Sequence, residues 1–282
     1  MPALIVLSHF QATPLLDARK AGMTALTISP DLGISLVEVA LEPAGVRFPD
    51  GEMVRWESIE RMARSENACF HISDGEAREI RVFSEHTNWL RSLMPTRGAP
   101  TMLVSGIPMH RIKDTDPLRD TLTKIATLQP ILGRVLDTAT GLGYTAIEAA
   151  KTADEVVTIE LDPAALEVAR LNPWSQALFD NSRIHQLVGD AYEIVPTLGD
   201  ASFARIIHDP PTLSLAGELY SATFYAHLYR LLERRGRLFH YIGDPGSPSG
   251  QRVTAGVIRR LRAAGFRRVE RRPEAFGVVA DK

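Results

Sequence analysis

The chain has 282 residues, 45% of them hydrophobic and 23% charged, with a formal net charge of −2 at pH 7. That length holds one large domain or two modest ones. The near-neutral balance gives no global pull toward nucleic acid or an anionic membrane. A single cysteine, Cys69, excludes an intramolecular disulfide and fits a reducing cytosol.

Residues 3–7 form an apolar run without a basic segment before it or a small-residue cleavage site after it, so no secretory leader is expected. No stretch approaches the ~18 apolar residues of a membrane span. The expected location is cytoplasmic, with no membrane partner.

Residues 24–29 and 34–41 alternate or run apolar as half-buried strands do, with the turn Pro30-Asp31-Leu32-Gly33 between them. Glu42-Pro43-Ala44-Gly45 and Pro49-Asp50-Gly51 mark two more turns. Residues 56–64 read as a short helix, and residues 68–72 and 78–83 as a hairpin about Ser73-Asp74-Gly75. Cys69 sits in this apolar run and reads as a small buried hydrophobe. Residues 101–105 form another strand. Residues 1–112 are expected to make a small β-rich (α+β) domain.

A helix is predicted from Pro117 to about Leu128. Pro117 suits its first position, and Asp116 can accept from the free N–H groups there. After Gly133 the texture changes. Strands are predicted at 134–138, 155–160, 183–188, 204–208 and 236–242, and helices at 146–151, 164–171, 217–233 and 252–264. Residues 266–270 and 276–280 read as a closing hairpin. Such alternation implies a parallel sheet. Residues 113–282 are therefore expected to be α/β, a Rossmann-like doubly wound sheet with a terminal antiparallel hairpin.

The chemistry concentrates at predicted strand ends. In Val135-Leu136-Asp137-Thr138-Ala139-Thr140-Gly141-Leu142-Gly143-Tyr144, an apolar strand ends in an acid and enters a helix through a small-residue turn. Glycines there let a ligand approach the backbone, and the helix start offers unpaired N–H groups. Residues 141–146 also fit the dinucleotide fingerprint. Asp137, however, would repel a diphosphate and favour a cationic ligand such as a sulfonium with a free amino group. That disfavours a nicotinamide-dependent oxidoreductase. Glu160 ends the next strand, where a carboxylate can take both ribose hydroxyls. Asp190 follows the third strand and could accept from an adenine amino group. Ile206-Ile207-His208-Asp209-Pro210-Pro211 ends the fourth.

This order of motifs resembles the class I S-adenosylmethionine-dependent methyltransferases over residues 130–282. Leu171-Asn172-Pro173-Trp174-Ser175 and Gly217-Glu218-Leu219-Tyr220-Ser221 resemble the predicted archaeal and bacterial methyltransferases related to spermidine synthases. The resemblance implies S-adenosyl-L-methionine as cofactor. Asp137, Ala139, Gly141 and Gly143 would hold its amino-acid part, Glu160 with Leu161 the ribose, and Asp190 with Ala191 the adenine. Asp209 would face the transferred methyl. Read from its own position, His208 beside Asp209 is either a proton acceptor for an acceptor that needs one or a neutral, hydrogen-bonded structural histidine. Ala139 departs from a common glycine. Thr212 stands where enzymes acting on planar amino groups usually carry an aromatic.

The resemblance implies methyl transfer to a nitrogen or oxygen acceptor: a small molecule, a protein or an RNA. An aminopropyltransferase using decarboxylated S-adenosylmethionine is the nearest alternative, disfavoured because Asp209 lacks the second acid of an Asp-x-x-Asp-Pro arrangement. A non-catalytic adenosyl-ligand sensor is the other. The N-terminal domain would serve acceptor choice or homodimerisation. His110-Arg111 reads as a surface loop; Tyr220, Tyr225 and His227 as a core stripe bordering the acceptor. Residues 243–250 read as a flexible wall of that site. The arginines of residues 252–272 read mainly as a solvated face, with nucleic acid the less favoured use. No Cys/His spacing suggests a metal.

Overall fold

The computed structural model describes residues 4–282; Ala3, the first residue of the expected apolar run, lies outside them. Contacts divide the chain into two compact units, Met1–Leu118 with Ala164–Gln176, and Arg119–Pro163 with Ala177–Lys282. Among the described residues, no helix is long and apolar enough to cross a membrane.

The first unit is built from short antiparallel strands. Its elements begin β1 (Ile5–Leu7), α1 (His9–Lys20), β2 (Ala25–Ile28), β3 (Val37–Glu42), β4 (Gly45–Arg47), β5 (Met53–Arg55) and α2 (Trp56–Ala63). They continue β6 (Phe70–Ser73), β7 (Glu76–Glu79), β8 (Arg81–Ser84), β9 (Trp89–Met94), β10 (Thr101–Val104) and β11 (Ile107–Pro108). Three sheets result, in the orders β1-β6-β7, β2-β3-β4-β5 and β11-β10-β9-β8. Leu7, Leu15, Val46, Ile59 and Met62 are among the side chains closing its core. The expected hairpin is real but shorter: Phe70 pairs with Glu79 and Ser73 with Glu76. Residues 78–83 are not one strand. Buried Ile80 donates its N–H to the Cys69 carbonyl and accepts from Leu93, ending β7 there. Cys69 is fully buried, which pushes its thiol well up and fits the inert reading.

The second unit carries the large sheet. Next in the chain is α3 (Pro117–Ala126), with the Leu118 N–H capped by Asp116 at 3.0 Å; the first unit ends at Leu118 and the second begins at Arg119. Then follow β12 (Arg134–Asp137), α4 (Tyr144–Ala149), β13 (Glu155–Glu160), α5 (Pro163–Arg170), α6 (Gln176–Asp180), β14 (Ile184–Val188) and α7 (Ala191–Ile194). The chain ends with β15 (Phe203–His208), α8 (Ala222–Leu231), β16 (Leu232–Tyr241), α9 (Pro248–Ala263), β17 (Arg267–Arg272) and β18 (Gly277–Asp281). The order is β14-β13-β12-β15-β16-β18-β17. Five strands are parallel and the last two antiparallel. The chain lays β13 and β14 on one side of β12, then returns to place β15 on the other. Ligands of open α/β sheets bind at such a reversal, outside the carboxyl ends of the strands.

The helix expected at 217–233 resolves into a 3-10 turn at Gly217–Tyr220 and α8, capped by Ser221, while Leu232 already begins β16. The expected wall loop shortens as well, because Ser247 caps α9 and residues 248–250 are helical. Leu136, Ile206, Phe224, Leu228, Leu238 and Val257 belong to the core of this unit. Leu238 is fully buried and pairs with Ile206 on one side and Ala280 on the other. Leu238→Ala is expected to lower unfolding free energy by about 2–5 kcal/mol. Urea titration should show this as a shifted midpoint with an unchanged slope.

Candidate functional site

The reversal in strand order sets Asp137 beside the end of β15, since Asp137 is in register with Ile207 and Asp209 follows two residues later. Asp137 is fully buried. Its Oδ2 accepts from the hydroxyls of Thr145 at 2.9 Å and Thr158 at 3.2 Å. Its Oδ1 is buried with no hydrogen-bond partner among the described residues. Burial pushes this carboxyl up to about 7, and the charge of Asp209 adds to the shift. The Thr145 and Thr158 hydroxyls and the nearby Ala139 N–H act in the opposite direction.

The turn above Asp137 is shaped by two glycines. Gly141 has φ +54°, and a Cβ built on it meets nothing within 4 Å, so the turn is open there. Gly143 has φ +76°, and its Cβ would stand 2.7 Å from Leu178 Cδ2. The first leaves room for a ligand; the second lets Leu178 of α6 pack closely against the turn. Ala139 is absent from the residues with positive φ, so its backbone tolerates a side chain there.

Glu160 ties the turn to the next strand. Its Oε2 accepts the Gly141 N–H at 2.8 Å and its Oε1 the Asp162 N–H at 3.0 Å. A carboxylate oxygen can accept more than one hydrogen bond, which suits this position to a ribose hydroxyl as well. Asp190 caps α7 through the Tyr192 N–H at 2.8 Å, with Ala191 buried behind it. Leu161, Val188 and Tyr192 are exposed apolar side chains around these strand ends, and Glu160 is in register with Val188. Leu161 was expected here; Val188 and Tyr192 were not.

Asp209 and His208 separate sharply. Asp209 keeps 21% of its side chain exposed and accepts from Lys124 Nζ at 2.6 Å. Lys124 is buried and also contacts Asp120 at 2.9 Å, while the Tyr241 ring centre lies 4.5 Å from its ammonium. Burial alone would depress this ammonium. The Asp209 and Asp120 carboxylates outweigh that effect and hold its pKa above the ordinary value, so Lys124 stays charged at neutral pH. Sequence reasoning missed Lys124, Asp120 and Tyr241.

His208 is fully buried, and both ring nitrogens are occupied. The Leu219 carbonyl, 3.0 Å from Nε2, can only accept, so Nε2 carries the proton. Nδ1 then accepts from the Thr138 hydroxyl at 2.7 Å. Burial pushes the ring down to about 3, partly offset by the Leu219 bond. The expected proton acceptor is thus a neutral histidine with no free nitrogen. It fixes Leu219, next to Tyr220, whose hydroxyl donates to the Pro211 carbonyl at 3.0 Å. Tyr225 is likewise core, donating to His240 Nε2 at 2.8 Å. His227 is half-buried, and in the first unit His110 Nδ1 pairs with the Thr101 hydroxyl at 3.0 Å.

The donor set fits S-adenosyl-L-methionine. Asp137 Oδ1 is a buried acceptor suited to the ligand's ammonium, and Glu160 to its ribose. A cationic ligand binds the charged form of Asp137, so affinity should rise with pH as that carboxyl ionises and level off above about 7. In the same window the unliganded protein should lose stability, since its raised carboxyl must ionise without a partner. Calorimetry near pH 6 in two buffers of different ionisation enthalpy should show proton release on binding. Asp137→Asn should abolish that release; release that survives the substitution would rule out this carboxyl as its source.

Comparison with known proteins agrees with the geometry. Residues 116–241 match the methyltransferase small domain family. An uncharacterized protein of Methanocaldococcus jannaschii is 44% identical over 238 residues, covering 84% of this chain and 81% of that one. A polyamine aminopropyltransferase of Mycobacterium tuberculosis is 34% identical over 122 residues, covering 40% of this chain and 22% of that one. A spermidine synthase solved with the transition-state analogue AdoDATO shares the fold at a TM-score of 0.59 and 20% identity, over 72% of this chain and 73% of that one. The spermidine synthase of Thermotoga maritima does so at 0.57 and 19%, over 71% and 72%. The chain belongs to the family of the Methanocaldococcus jannaschii protein, carries a segment that matches the methyltransferase small domain, and has the fold of the spermidine synthases.

Proposed function

We propose that this chain transfers the methyl group of S-adenosyl-L-methionine to a nitrogen or oxygen acceptor held at Asp209. The observation that carries this reading is the Lys124–Asp209 pair at 2.6 Å. A carboxylate that shares a buried ammonium with Asp120 can still accept a hydrogen bond from an acceptor N–H or O–H. It is poorly suited to serve as counter-ion for a polycation. That favours a neutral acceptor and methyl transfer over aminopropyl transfer to a polyamine.

When bound, S-adenosyl-L-methionine supplies an electrophilic sulfonium methyl that needs no further activation. The residues here would therefore work mainly by position. Asp137 and the turn through Gly141 would hold the amino-acid end, Glu160 the ribose, and Asp190, Ala191 and Leu161 the adenine side. Asp209, fixed by Lys124, would orient the acceptor lone pair. His208 would hold the loop after Asp209 through Leu219, and takes no proton.

The test begins with calorimetry of S-adenosylmethionine and its decarboxylated form in parallel. The intact compound should bind at least tenfold more tightly. Methyl-labelled S-adenosylmethionine offered with small-molecule, protein and RNA fractions should then yield S-adenosylhomocysteine in one of them. Asp209→Ala should lower that turnover by roughly 10²–10³ while leaving cofactor affinity within a few-fold. Release of methylthioadenosine from the decarboxylated compound with putrescine or spermidine would instead establish the aminopropyl reading. Tight binding without product in any fraction would support a sensor.

Lys124→Met should leave two buried or half-buried carboxylates without their cation. It is expected to cost about 3–5 kcal/mol of stability, read by denaturant titration. Lys124→Met combined with Asp120→Leu should recover part of that loss, because the uncompensated buried acid goes with it.

A further inference from the structure

The helix and hairpin that end the chain gather charge of one sign. Eight arginines and one acid, Glu270, occupy residues 252–272 of a chain whose net charge is −2. Arg259 and Arg262 of α9 and Arg271 of β17 line one cavity of about 440 Å³, with Ala255 and Ile258 between them. Positions 255, 258, 259 and 262 form a single stripe on α9, which Arg252 extends. Arg252, Arg259, Arg262 and Arg271 are exposed, and no ion pair among the described residues engages them. The nearby Glu270 is already bound to Arg272 at 2.8 Å.

A cavity in the other unit shows the contrast. Arg55, Arg61, Arg78 and Arg81 line it, yet Glu76 and Glu79 line it too. Arg78 meets Glu76 at 2.7 Å and Arg81 meets Glu79 at 3.8 Å. Two of the four arginines on that surface are paired with its own acids; the three that line the α9–β17 cavity have no acid beside them in its lining. Arginines on an edge strand discourage edge-to-edge pairing, and Arg260 and Arg262 suit the end of a helix. Neither use requires three guanidinium groups around one cavity, where their repulsion is relieved only by an anion.

The surroundings narrow the anion. Among the described residues no large exposed apolar side chain lies beyond Leu215, so the surface has nothing to insert into a bilayer. Phe266 is buried and Phe276 half-buried, which leaves no platform for stacking unpaired bases. The row from Arg252 to Arg262 runs about 15 Å along α9. That equals about four base-pair rises along the axis of a nucleic-acid helix.

We propose that the groove between α9 and β17 binds the phosphodiester backbone of a nucleic-acid helix, without reading its sequence. The site is independent of the methyl-transfer reading. It nevertheless shares a sheet with it: Arg271, Val278, His240 and His208 form one cross-strand row. Three strand spacings separate its ends, about 14 Å.

The test is fluorescence anisotropy with RNA and DNA duplexes of about 16 base pairs and matched sequence, from about 50 to 200 mM salt. Phosphatidylserine vesicles of equal charge form a third arm. Both duplexes should bind, with affinity falling steeply as salt rises. The triple variant Arg259→Gln/Arg262→Gln/Arg271→Gln should bind at least tenfold more weakly, with a salt slope lower by roughly 2–3 at ~0.9 per lost phosphate contact. Arg78→Gln/Arg81→Gln should change neither quantity. Binding of RNA alone would assign the ligand to RNA, and equal binding to the shared backbone. Unchanged binding by the triple variant, no duplex binding at the lowest salt, or vesicle binding as tight as the duplexes would each overturn the proposal.

Discussion

Repulsion between carboxylates at the carboxyl edge of the sheet is the constraint on which the site depends. The strand order brings Asp137 next to Asp209, and the charge of Asp209 already helps to raise the pKa of Asp137. Two buried or half-buried acids side by side would not both remain ionised. Lys124 resolves this by holding Asp209 and Asp120 together. No ion pair among the described residues engages Asp137, and its buried Oδ1 has no hydrogen-bond partner among them. A cationic ligand can satisfy it there.

Much of this was legible in the sequence because strand ends announce themselves. The acids Asp137, Glu160, Asp190 and Asp209 each close or follow an apolar run, and the parallel sheet puts those ends on one edge. Lys124 was hidden for a physical reason. The buried face of α3 runs through Asp120, Thr121, Lys124, Ile125 and Leu128, while Leu122 is exposed. Polar residues occupy the helical positions where apolar ones are expected, so the periodicity of hydrophobicity misleads. An acid and a lysine four residues apart, on the same face as Ile125 and Leu128, were the available signal.

The first unit was less legible for similar reasons. Helix α1 carries Pro14 in its interior, which argues against a helix when read as composition. Its start was nonetheless encoded: Ser8 and Gln11 form a capping box, with the Ser8 N–H bonded to the Gln11 side chain at 3.0 Å. The run at 78–83 looked like one strand because alternation continues through Ile80. Only the non-local bonds of Ile80 to Cys69 and Leu93 show that the chain changes sheets there. His208 had two readings at the sequence level, a proton acceptor and a structural histidine, and its surroundings favour the second. A histidine beside an acid at a strand tip suggests proton transfer, yet its neighbours Phe224 and His240 bury it completely. Its fixed tautomer makes it a strut for the loop that follows Asp209.

The second unit therefore presents two fields of opposite sign on one sheet. Acids line the edge at β12–β15, while Arg259, Arg262 and Arg271, with no ion pair among the described residues, line the margin at α9 and β17. Direct neutralisation between them is prevented by distance, since the cross-strand row from His208 to Arg271 exceeds the ~8–10 Å screening length of physiological salt. Each surface can then attract its own ligand, a cationic one at the strand tips and an anionic one at the margin. Had the arginines stood beside Asp137, they would have supplied the partner that its Oδ1 lacks. The β16–β18–β17 extension of the sheet is what keeps the two apart.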